Sequence, residues 1–504
     1  MSQAAETAVV PSVIELMNAS GVPFGTSGVR GLADAMTDRL CHAYTTAFLQ
    51  YLASIGEFHP GAPVALAGDL RPSTPRILAA CARAVVDIGG VPVHCGRVPT
   101  PALALYAMGK AMPSLMVTGS HIPEDRNGIK FYRPHGEVLK ADEAGIVSQR
   151  PRSDPALFDA TGNLTEAFAL PEAIDVETGY LDRYVAFFGA TALAGMTIGV
   201  YQHSAVGRDI LVRIVEALGA TAVPLGRSSR FIPVDTEAIR PEDIALARDW
   251  AKEYRFDAII STDGDSDRPL LATAEGEWVR GDILGLLCAR SIGADVVVTP
   301  VSSNSAVELC GAFGKVLRTR IGSPYVIAAM MDAAGAACVC GYEANGGFLL
   351  GSALTRHGRS MTALVTRDAV LPIVSVLADL RGGTVAQLVS GLPPRVTYSD
   401  RIAGFPTEDS KTVIAWLLAG DAAAQLARIA ACFGDLAGTP VRIDVTDGVR
   451  IYFADGDIIH LRPSGNAPEF RCYTEAADGA RAQELNVAAF ALLRERILPA
   501  AQKG

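Results

Sequence analysis

A serine followed by a histidine comes directly after a strand-like apolar run, in the stretch Val117-Thr118-Gly119-Ser120-His121-Ile122-Pro123. A serine hydroxyl is a weak nucleophile until a base, a lowered pKa or a metal activates it. The chain offers such help in the stretch Asp263-Gly264-Asp265-Ser266-Asp267-Arg268, where three alternating carboxylates can close on one hard divalent cation. We therefore expect the serine loop and the aspartate loop to form one site.

The aspartate loop has to be distinguished from a calcium-binding EF-hand, which also begins with Asp-x-Asp-x-Asp. An EF-hand needs glycine at the sixth position and glutamate at the twelfth, where this chain has Arg268 and Ala274. Magnesium fits better, because it takes few protein carboxylates and accepts phosphate oxygens as further ligands. Arg268 would then face the same phosphate. The alternative is an ordinary polar loop without a metal.

The role of Ser120 is open to two interpretations. Its loop is not the Gly-x-Ser-x-Gly turn of a hydrolase, and no partner histidine and acid can be located for a catalytic triad. A serine that carries a phosphoryl group, with one phosphate oxygen on the metal, is the more economical role. His121 is then a hydrogen-bond partner or only a loop residue. Lys130 either neutralises the transferring phosphoryl group or is a solvated lysine.

Two further stretches have the composition of phosphate-binding loops. Residues 24–31 place Arg30 among glycines, which allow close approach of the backbone to a ligand, and a guanidinium group suits phosphate. A structural turn with a surface arginine explains that stretch equally well. The stretch Arg462-Pro463-Ser464-Gly465-Asn466 offers several donors on one loop, as a phosphate that is not being transferred would need.

Composition limits the kind of protein that can carry such a site. A chain of 504 residues is too long for one core and should divide into domains of roughly 100–200 residues. With 49% hydrophobic residues and 49 glycines, it has the composition of a soluble α/β enzyme. A net charge of −10 argues against a nucleic-acid binder. The nine scattered cysteines, and the lack of a signal peptide or long apolar run, predict reduced thiols and a cytoplasmic protein.

Strands and helices alternate in three successive passes, and each pass ends in a polar loop at the end of a strand. The third such loop is Tyr342-Glu343-Ala344-Asn345-Gly346-Gly347. In open α/β sheets ligands bind at this end of the strands. After residue 392 the pairs Asp447-Gly448 and Asp455-Gly456 indicate hairpins of an antiparallel sheet. We predict three similar doubly wound α/β domains, at 1–160, 161–278 and 279–391, and a smaller, mobile α+β domain at 392–504.

In this order and spacing, the loops resemble those of the alpha-D-phosphohexomutase superfamily, most closely the phosphomannomutase/phosphoglucomutase members. The resemblance covers nearly the whole chain and rests on residues 24–31, 118–123, 127–130, 263–268, 343–347 and 462–466. It implies four domains arranged around a central cleft.

The resemblance also implies a reaction, the reversible transfer of phosphate between C1 and C6 of a hexose phosphate. Phosphorylated Ser120 would donate its phosphoryl group to the free hydroxyl of mannose or glucose phosphate. The resulting hexose 1,6-bisphosphate would return its other phosphate to the serine, and the same compound would act as activator. Positive charge near the transferring group is the main source of catalysis in phosphoryl transfer.

The family assignment gives each matching residue an expected role. The metal site, for one Mg²⁺ per chain, is Ser120, Asp263, Asp265 and Asp267. The catalytic residues are Ser120, His121, Lys130, Arg30 and Arg268. The substrate-binding residues are Glu343, Asn345, Arg462, Ser464, Gly465, Asn466 and Arg471.

The chain departs from the family pattern in two loops. The serine loop commonly reads Ala-Ser-His-Asn-Pro, and here Gly119 and Ile122 replace two of those residues. In the third polar loop, residues 342–347, which we call the sugar loop, Asn345 stands where serine is more usual. Gly347 stands where some bacterial members have histidine. The second departure leaves the general base unassigned.

The identity of the sugar stays open at this stage. If Glu343 and Asn345 contact the hydroxyls at C3 and C4, they do not separate mannose from glucose, which differ at C2. A phosphoglucosamine mutase is the main alternative, followed by a metal-dependent sugar phosphatase and a sugar-phosphate binding protein. We expect a small hexose phosphate as partner, no nucleic acid or membrane, and a monomer or weak homodimer.

Overall fold

The computed structural model describes residues 11–25, 28–464 and 468–502. Within these residues the chain forms three α/β units, followed by a C-terminal unit with an antiparallel sheet. The predicted fold class is thus confirmed. The domain boundaries given above stay predictions.

The first α/β unit contains a six-stranded sheet and five helices. Its strands are β1 (Gly28–Leu32), β2 (Pro63–Gly68), β3 (Val91–Arg97), β4 (Ser114–Val117), β5 (Arg126–Arg133) and β6 (Gly136–Glu137). Its helices are α1 (Val13–Ser20), α2 (Asp38–Ser54), α3 (Thr74–Asp87), α4 (Thr100–Met108) and α5 (Lys140–Val147). Strand β2 runs parallel to β3 and β4, whereas β5 pairs antiparallel with β4 and β1.

The second α/β unit repeats this plan on a four-stranded sheet. Its strands are β7 (Thr197–Tyr201), β8 (Thr221–Leu225), β9 (Ala258–Thr262) and β10 (Pro269–Ala272). Its helices are α6 (Glu177–Phe188), α7 (Arg208–Ala217) and α8 (Pro241–Glu253). Strand β7 is parallel to β8 and β9, and β10 is antiparallel to β9.

The third α/β unit has a five-stranded sheet and a separate two-stranded hairpin. Its strands are β11 (Val296–Pro300), β12 (Lys315–Thr319), β13 (Val339–Tyr342), β14 (Phe348–Leu350), β15 (Leu354–Arg356), β16 (Arg359–Met361) and β17 (Leu364–Asp368). Its helices are α9 (Gly281–Ser291), α10 (Ala306–Leu309), α11 (Ser323–Asp332), α12 (Val370–Ala378) and α13 (Val385–Ser390). Strand β11 is parallel to β12 and β13, and β14 is antiparallel to β13.

The three α/β units share one arrangement that matters for function. In each unit the third parallel strand lies beside the first, and the loop after it leads into an antiparallel strand. The serine loop joins β4 to β5, the aspartate loop joins β9 to β10, and the sugar loop joins β13 to β14. The three polar loops are therefore topologically equivalent, although the antiparallel strands that follow them were not predicted.

The C-terminal unit is built on a five-stranded antiparallel sheet rather than on the three predicted strands alone. Its strands are β18 (Val396–Ala403), β19 (Pro440–Asp444), β20 (Val449–Phe453), β21 (Ile458–Pro463) and β22 (Glu469–Ala476). Its helices are α14 (Thr407–Leu417), α15 (Ala422–Ala437), α16 (Gly479–Leu492) and α17 (Leu498–Ala501), with a π-helical segment at Leu493–Ile497.

Packing separates this last unit from the others. One buried apolar cluster runs from Ala65 to Leu392 and includes residues of all three α/β units. The C-terminal unit has its own cluster, from Ile402 to Ala501. Polar contacts join the two parts, since the Ser305 amide donates to Glu475 Oε2 (3.1 Å) and Asn304 Nδ2 donates to Thr397 Oγ1 (3.0 Å). The predicted mobility of this unit stays a prediction.

No single described helix has the length and apolar composition to cross a membrane. Helices α14 and α15 meet that test only as a pair, and they are bent by 116° at the break between them.

A buried histidine should make the C-terminal unit sensitive to acid. The Nε2–H of His460 donates to the Asp447 carbonyl (2.6 Å), while burial and then the charge of Arg450 lower its pKa to about 4. Between pH 6.5 and 4 the unfolded chain therefore binds a proton that the folded chain does not. The free energy of unfolding falls as the pH falls through this range, by about 2 kcal/mol at pH 5.

The measurement is thermal unfolding at pH 7 and pH 5 for the wild type and His460→Gln. The variant lacks the titrating group, so its melting temperature should fall less between the two pH values. An equal fall in both proteins would contradict the prediction. His203, whose pKa is also lowered to about 4 chiefly by burial, is present in both proteins and cancels in the comparison.

Candidate active site

Ser120 lies three residues beyond the end of β4 and is fully buried. Its φ of +57° lies in the left-handed region, which a non-glycine residue enters only where the surroundings hold it. Its amide donates to Thr118 Oγ1 (2.8 Å), and that hydroxyl donates to Asp69 Oδ2 (2.8 Å). The side chains of the strand end thus fix the backbone that presents the hydroxyl.

A second anchor of the serine loop is Arg71, which the sequence analysis did not identify. Its guanidinium donates to four backbone carbonyls, those of Ser120 (3.0 Å), Ile122 (2.5 Å), Pro123 (2.6 Å) and Arg126 (2.9 Å). It also pairs with Asp69 (3.2 Å). A Cβ on Gly119 would lie 2.6 Å from Arg71 Cζ, so alanine, which is common in the family at this position, would displace the guanidinium.

The aspartate loop contacts the serine loop directly. Ser120 Oγ donates to Asp263 Oδ2 at 2.5 Å. The close approach depends on Gly264, because a Cβ there would lie 2.5 Å from the Ser120 carbonyl oxygen. The structure therefore brings together the two loops that were expected to form one site.

The three aspartates form a compact acidic cluster. The carboxylates of Asp263, Asp265 and Asp267 are buried, and one oxygen from each lies within 4.8 Å of the others. Burial, and then the charges of the other two carboxylates, raise the pKa of Asp263 to about 8. For Asp267, burial opposes ionisation, but the charges of Arg367 and Lys130 outweigh it and hold its pKa well below the usual range.

This cluster fits a metal cation. Lys130 Nζ lies 2.5 Å from both Asp265 Oδ2 and Asp267 Oδ2. The Oδ1 atoms of the same two aspartates are buried and have no hydrogen-bond partner among the described residues. An unpaired buried carboxylate oxygen is costly. Three convergent carboxylates, two of which have an oxygen without a partner, can hold a metal ion.

His121 lies beside the serine hydroxyl as a neutral ring. Its Nδ1 accepts from Arg268 Nη1 (2.9 Å) and lies 3.3 Å from Ser120 Oγ. Burial, and then the charge of Arg268, lower the pKa of His121 to about 3. Of the two roles left open for His121, the geometry favours a hydrogen-bond partner of the serine and Arg268.

A second arginine that sequence analysis missed joins the aspartate loop to the sugar loop. Arg367, on β17, donates through Nε to Asp267 Oδ2 (3.0 Å) and through Nη1 to Glu343 Oε2 (3.3 Å). A Cβ on Gly347 would lie 2.5 Å from Arg367 Cδ. Glycine at 347, where some family members have histidine, thus leaves room for the Arg367 stem.

Glu343 and Asn345, the two sugar-loop residues predicted to bind substrate, are buried, and hydrogen bonds within their turn hold them in place. The Glu343 amide donates to the Gly347 carbonyl (3.1 Å), and Asn345 Oδ1 accepts from the Gly347 amide (2.9 Å). The Asn345 carbonyl also accepts from Thr236 Oγ1 (2.6 Å) of the second unit. Arg367 bridges Glu343 and Asp267, and so links the sugar loop to the acidic cluster.

Arg30 lies on β1 rather than on a loop, opposite Gly128 of β5. A Cβ on Gly128 would lie 2.6 Å from the Val29 carbonyl oxygen and 2.9 Å from Arg30 Cγ, so this glycine permits the pairing. Burial, and then the charge of Arg268, lower the pKa of Arg30 to about 10, while Asp265 acts in the opposite direction. Arg30 therefore stays charged at neutral pH within range of the cluster.

The described residues of the predicted phosphate loop have partners within the C-terminal unit. Arg462 Nε is 2.9 Å from Asp447 Oδ2, and Arg471, within β22 rather than in the loop, donates to Glu469 (3.2 Å). Ser464 donates its amide to the Glu469 carbonyl (2.9 Å), fixing the end of β21. Gly465 and Asn466 lie outside the described residues.

Charge interactions relate the C-terminal unit to the cluster. Burial, and then the charge of Asp235, raise the pKa of Glu237, whereas Arg280, Arg471 and Arg268 act to lower it. Arg471 and Arg268 thus lie within electrostatic range of one carboxylate. Among the described residues, no hydrogen bond or ion pair joins Arg462 or Arg471 to the three aspartates.

Models of the phosphoglucomutase/phosphomannomutase family match four successive stretches of the chain. Alpha/beta/alpha domain I matches residues 21–154, domain II residues 178–276, domain III residues 280–396 and the C-terminal domain residues 417–492.

Comparisons with individual proteins support the same family. A protein named phosphomannomutase from Sinorhizobium fredii is 45% identical over 95% of this chain and 100% of its own length. A phosphomannomutase from Salmonella muenchen is 44% identical over 92% and 93%. A probable phosphoglucosamine mutase from Methanothermobacter thermautotrophicus is only 26% identical, over 92% and 96%. A solved putative phosphomannomutase from Thermus thermophilus shares the fold, with a TM-score of 0.73 at 20% identity over 94% and 99%.

Proposed function

This chain belongs to the phosphoglucomutase/phosphomannomutase family, and from that premise we propose that it interconverts mannose 1-phosphate and mannose 6-phosphate. Membership makes it a phosphomutase, an isomerase that moves a phosphate within one sugar. The single observation that carries the proposal is the buried Ser120 hydroxyl, 2.5 Å from Asp263 in a cluster of three carboxylates.

In the proposed reaction Ser120 is phosphorylated at rest. The free hydroxyl of the sugar phosphate attacks the phosphorus, so that a new oxygen–phosphorus bond forms and the bond to Ser120 Oγ breaks. In the net reaction the hydroxyl proton of the sugar ends on Ser120 Oγ. The bound hexose 1,6-bisphosphate then presents its other phosphate, and Ser120 Oγ takes that phosphoryl group back by the reverse step. Added hexose 1,6-bisphosphate would phosphorylate any enzyme that has lost its phosphate.

Positive charge around the serine supports this chemistry. Arg268 and Lys130 lie on the acidic cluster, and Arg30 lies within its electrostatic range. Preorganised cations of this kind stabilise the charge of a phosphoryl group in transfer. Mg²⁺ suits Asp263, Asp265 and Asp267, because it prefers oxygen ligands, and when bound it would supply further positive charge beside the serine phosphate.

We propose mannose as the sugar because the most similar relatives described above are named phosphomannomutases. The residues predicted to bind the sugar do not distinguish mannose from glucose. The two relatives named phosphomannomutases are 45% and 44% identical, whereas the phosphoglucosamine mutase is 26% identical. Glu343 and Asn345, as readers of the C3 and C4 hydroxyls, would accept glucose as well. We therefore propose glucose phosphates as second substrates.

Phosphorus NMR of the purified protein with Mg²⁺, mannose 1-phosphate and a trace of hexose 1,6-bisphosphate tests the proposal. The expected result is mannose 6-phosphate without inorganic phosphate. Release of inorganic phosphate would support a phosphatase instead. Parallel reactions with glucose and glucosamine 1-phosphates rank the sugars, and a preference for glucosamine would overturn the choice of mannose. Omission of Mg²⁺ in the presence of a chelator is the control for the metal.

A further inference from the structure

A polar cavity of about 250 Å³ lies between the third α/β unit and the C-terminal unit. Its walls include Arg320, Ile321 and Tyr325 on one side and Asp447, Gly448 and Arg462 on the other. Pockets for whole small molecules commonly enclose about 300–1,000 Å³. This cavity is therefore of a size for one end of a small polar ligand.

The charged groups of the cavity favour an anion. Its lining contains two arginines, Arg320 and Arg462, and a single carboxylate, Asp447. That carboxylate is already engaged, since Asp447 Oδ2 accepts from the Ile321 amide (3.0 Å) and lies 2.9 Å from Arg462 Nε. The lining keeps one positive charge in excess.

Of the two arginines of the cavity, Arg462 is paired with Asp447, whereas the charge of Arg320 is not neutralised by a described carboxylate. Arg320 follows the carboxyl end of β12, where ligands of α/β sheets bind. Its guanidinium lies 5.9 Å from the centre of the Tyr325 ring and pairs with no carboxylate of the residues described. Arg318, two positions earlier, is by contrast held by Glu308 (2.7 Å).

We propose that Arg320 binds the phosphate that is not being transferred, from the side opposite Arg462. The inference rests on the proposed function and adds a residue of the third α/β unit to a phosphate site so far expected only on the C-terminal unit. A guanidinium group matches phosphate oxygens in charge and geometry. The phosphate then bridges the two units across the cavity.

This placement has a consequence for kinetics. Mannose 1-phosphate and mannose 6-phosphate each bind with their own phosphate away from Ser120 and the free hydroxyl toward it. Arg320 therefore contacts the phosphate of either substrate, in the ground state and the transition state alike. Loss of such uniform binding raises KM and leaves kcat nearly unchanged.

The test compares Arg320→Met with the wild type in both reaction directions and by calorimetric titration. We expect KM to rise at least about tenfold for both mannose 1-phosphate and mannose 6-phosphate, as for the loss of a hydrogen bond to a charged group. The change in kcat should stay within about threefold. Arg320→Lys, which keeps the charge, should restore part of the loss.

The matched control is Arg442→Met. Arg442 is also an exposed arginine over a tyrosine ring, 3.7 Å from the centre of Tyr452, but it does not line the cavity. Its KM values should equal those of the wild type. Wild-type KM values in Arg320→Met, or a rise for only one of the two substrates, would overturn the proposal.

Calorimetry separates this inference from the proposed function. If the wild-type protein does not interconvert mannose phosphates, the proposed function is wrong. The affinities of the wild type and of Arg320→Met for mannose 1-phosphate and for inorganic phosphate still show whether Arg320 binds phosphate. Weaker binding of mannose 1-phosphate by Arg320→Met supports a sugar-phosphate site. A loss confined to inorganic phosphate overturns the assignment to substrate, and equal binding of both ligands overturns the site itself.

Discussion

Replacing Ser120 with alanine should abolish mutase turnover, with a fall in kcat of about 10⁴-fold or more, as for the loss of other serine nucleophiles. The hydroxyl is the only group proposed to carry the phosphoryl group, and alanine has no atom for that bond. Binding of mannose 1-phosphate should stay within about tenfold of the wild type, or roughly 1.4 kcal/mol. The difference between the two effects separates a phosphate carrier from a binding residue.

The measurement combines turnover, calorimetric titration and intact mass. After incubation with hexose 1,6-bisphosphate the wild type should gain one phosphoryl group, and Ser120→Ala should gain none. Ser114→Ala is the matched control. Ser114 is a buried serine on β4, the strand before the serine loop, and its hydroxyl has no hydrogen-bond partner in the described part of the chain. Retained turnover in Ser120→Ala would refute the phosphoserine mechanism.

The sequence was informative wherever the chemistry is local. The aspartate loop could be predicted because three carboxylates alternate within six residues at the end of an apolar strand. The observed strand β9 ends at Thr262, directly before Asp263. The parallel strands of the three α/β units could be predicted for the same reason, since each is a short apolar run between helical patterns.

The residues that connect the loops gave no such signal. Arg71 reaches carbonyls 49 to 55 positions away in the chain, and Arg367 contacts Asp267 across 100 positions. An arginine in a strand or turn looks the same in sequence whether it is solvated or buried. The indirect signal was glycine, because Gly119 and Gly347 depart from the family pattern at the two points where these arginines pass.

Strand pairing explains the remaining differences. Hairpin signals predicted β19, β20 and β21, which are joined by loops of four residues rather than two. Strand β18 pairs with β22 across about 70 residues, with two helices between them, and no turn residue indicates such a pairing. Strand β22 was therefore not predicted, and Arg471, predicted only as a substrate-binding residue, lies within it.

Replacing Arg71 should cost both stability and catalysis. Arg71→Met would leave Asp69 buried without its ion-pair partner and four loop carbonyls without their shared donor. Removing one partner of a buried pair destabilises a protein by about 3–5 kcal/mol. Chemical denaturation should show this loss for Arg71→Met, while Arg126→Met, at the exposed arginine that begins β5, should be near wild type.

Arg71→Lys tests whether the serine loop needs the carbonyl contacts of the guanidinium or only a positive charge beside Asp69. Lysine keeps the positive charge beside Asp69 but lacks the planar fork that contacts several carbonyls at once. The serine would lose its fixed left-handed backbone, and a displacement of about 1 Å can cost about 100-fold in rate. We expect kcat of Arg71→Lys to fall by about that factor with KM nearly unchanged, because among the described residues Arg71 has no hydrogen bond to the sugar loop or to Arg462. A wild-type kcat would show that the loop keeps its shape without the guanidinium.

The ring of Phe231 gives an independent check on this role. It belongs to the second α/β unit and lies over the Arg71 guanidinium, 3.9 Å from Cζ to the ring centre. Phe231→Leu leaves every carbonyl contact of Arg71 in place and removes only a cation–π interaction, worth about 0.5–2 kcal/mol. If Arg71 acts by holding the serine loop against the aspartate loop, Phe231→Leu should lower kcat in the same sense as Arg71→Lys but by about tenfold or less. A fall in stability without any fall in kcat would instead make Arg71 a residue of the core alone.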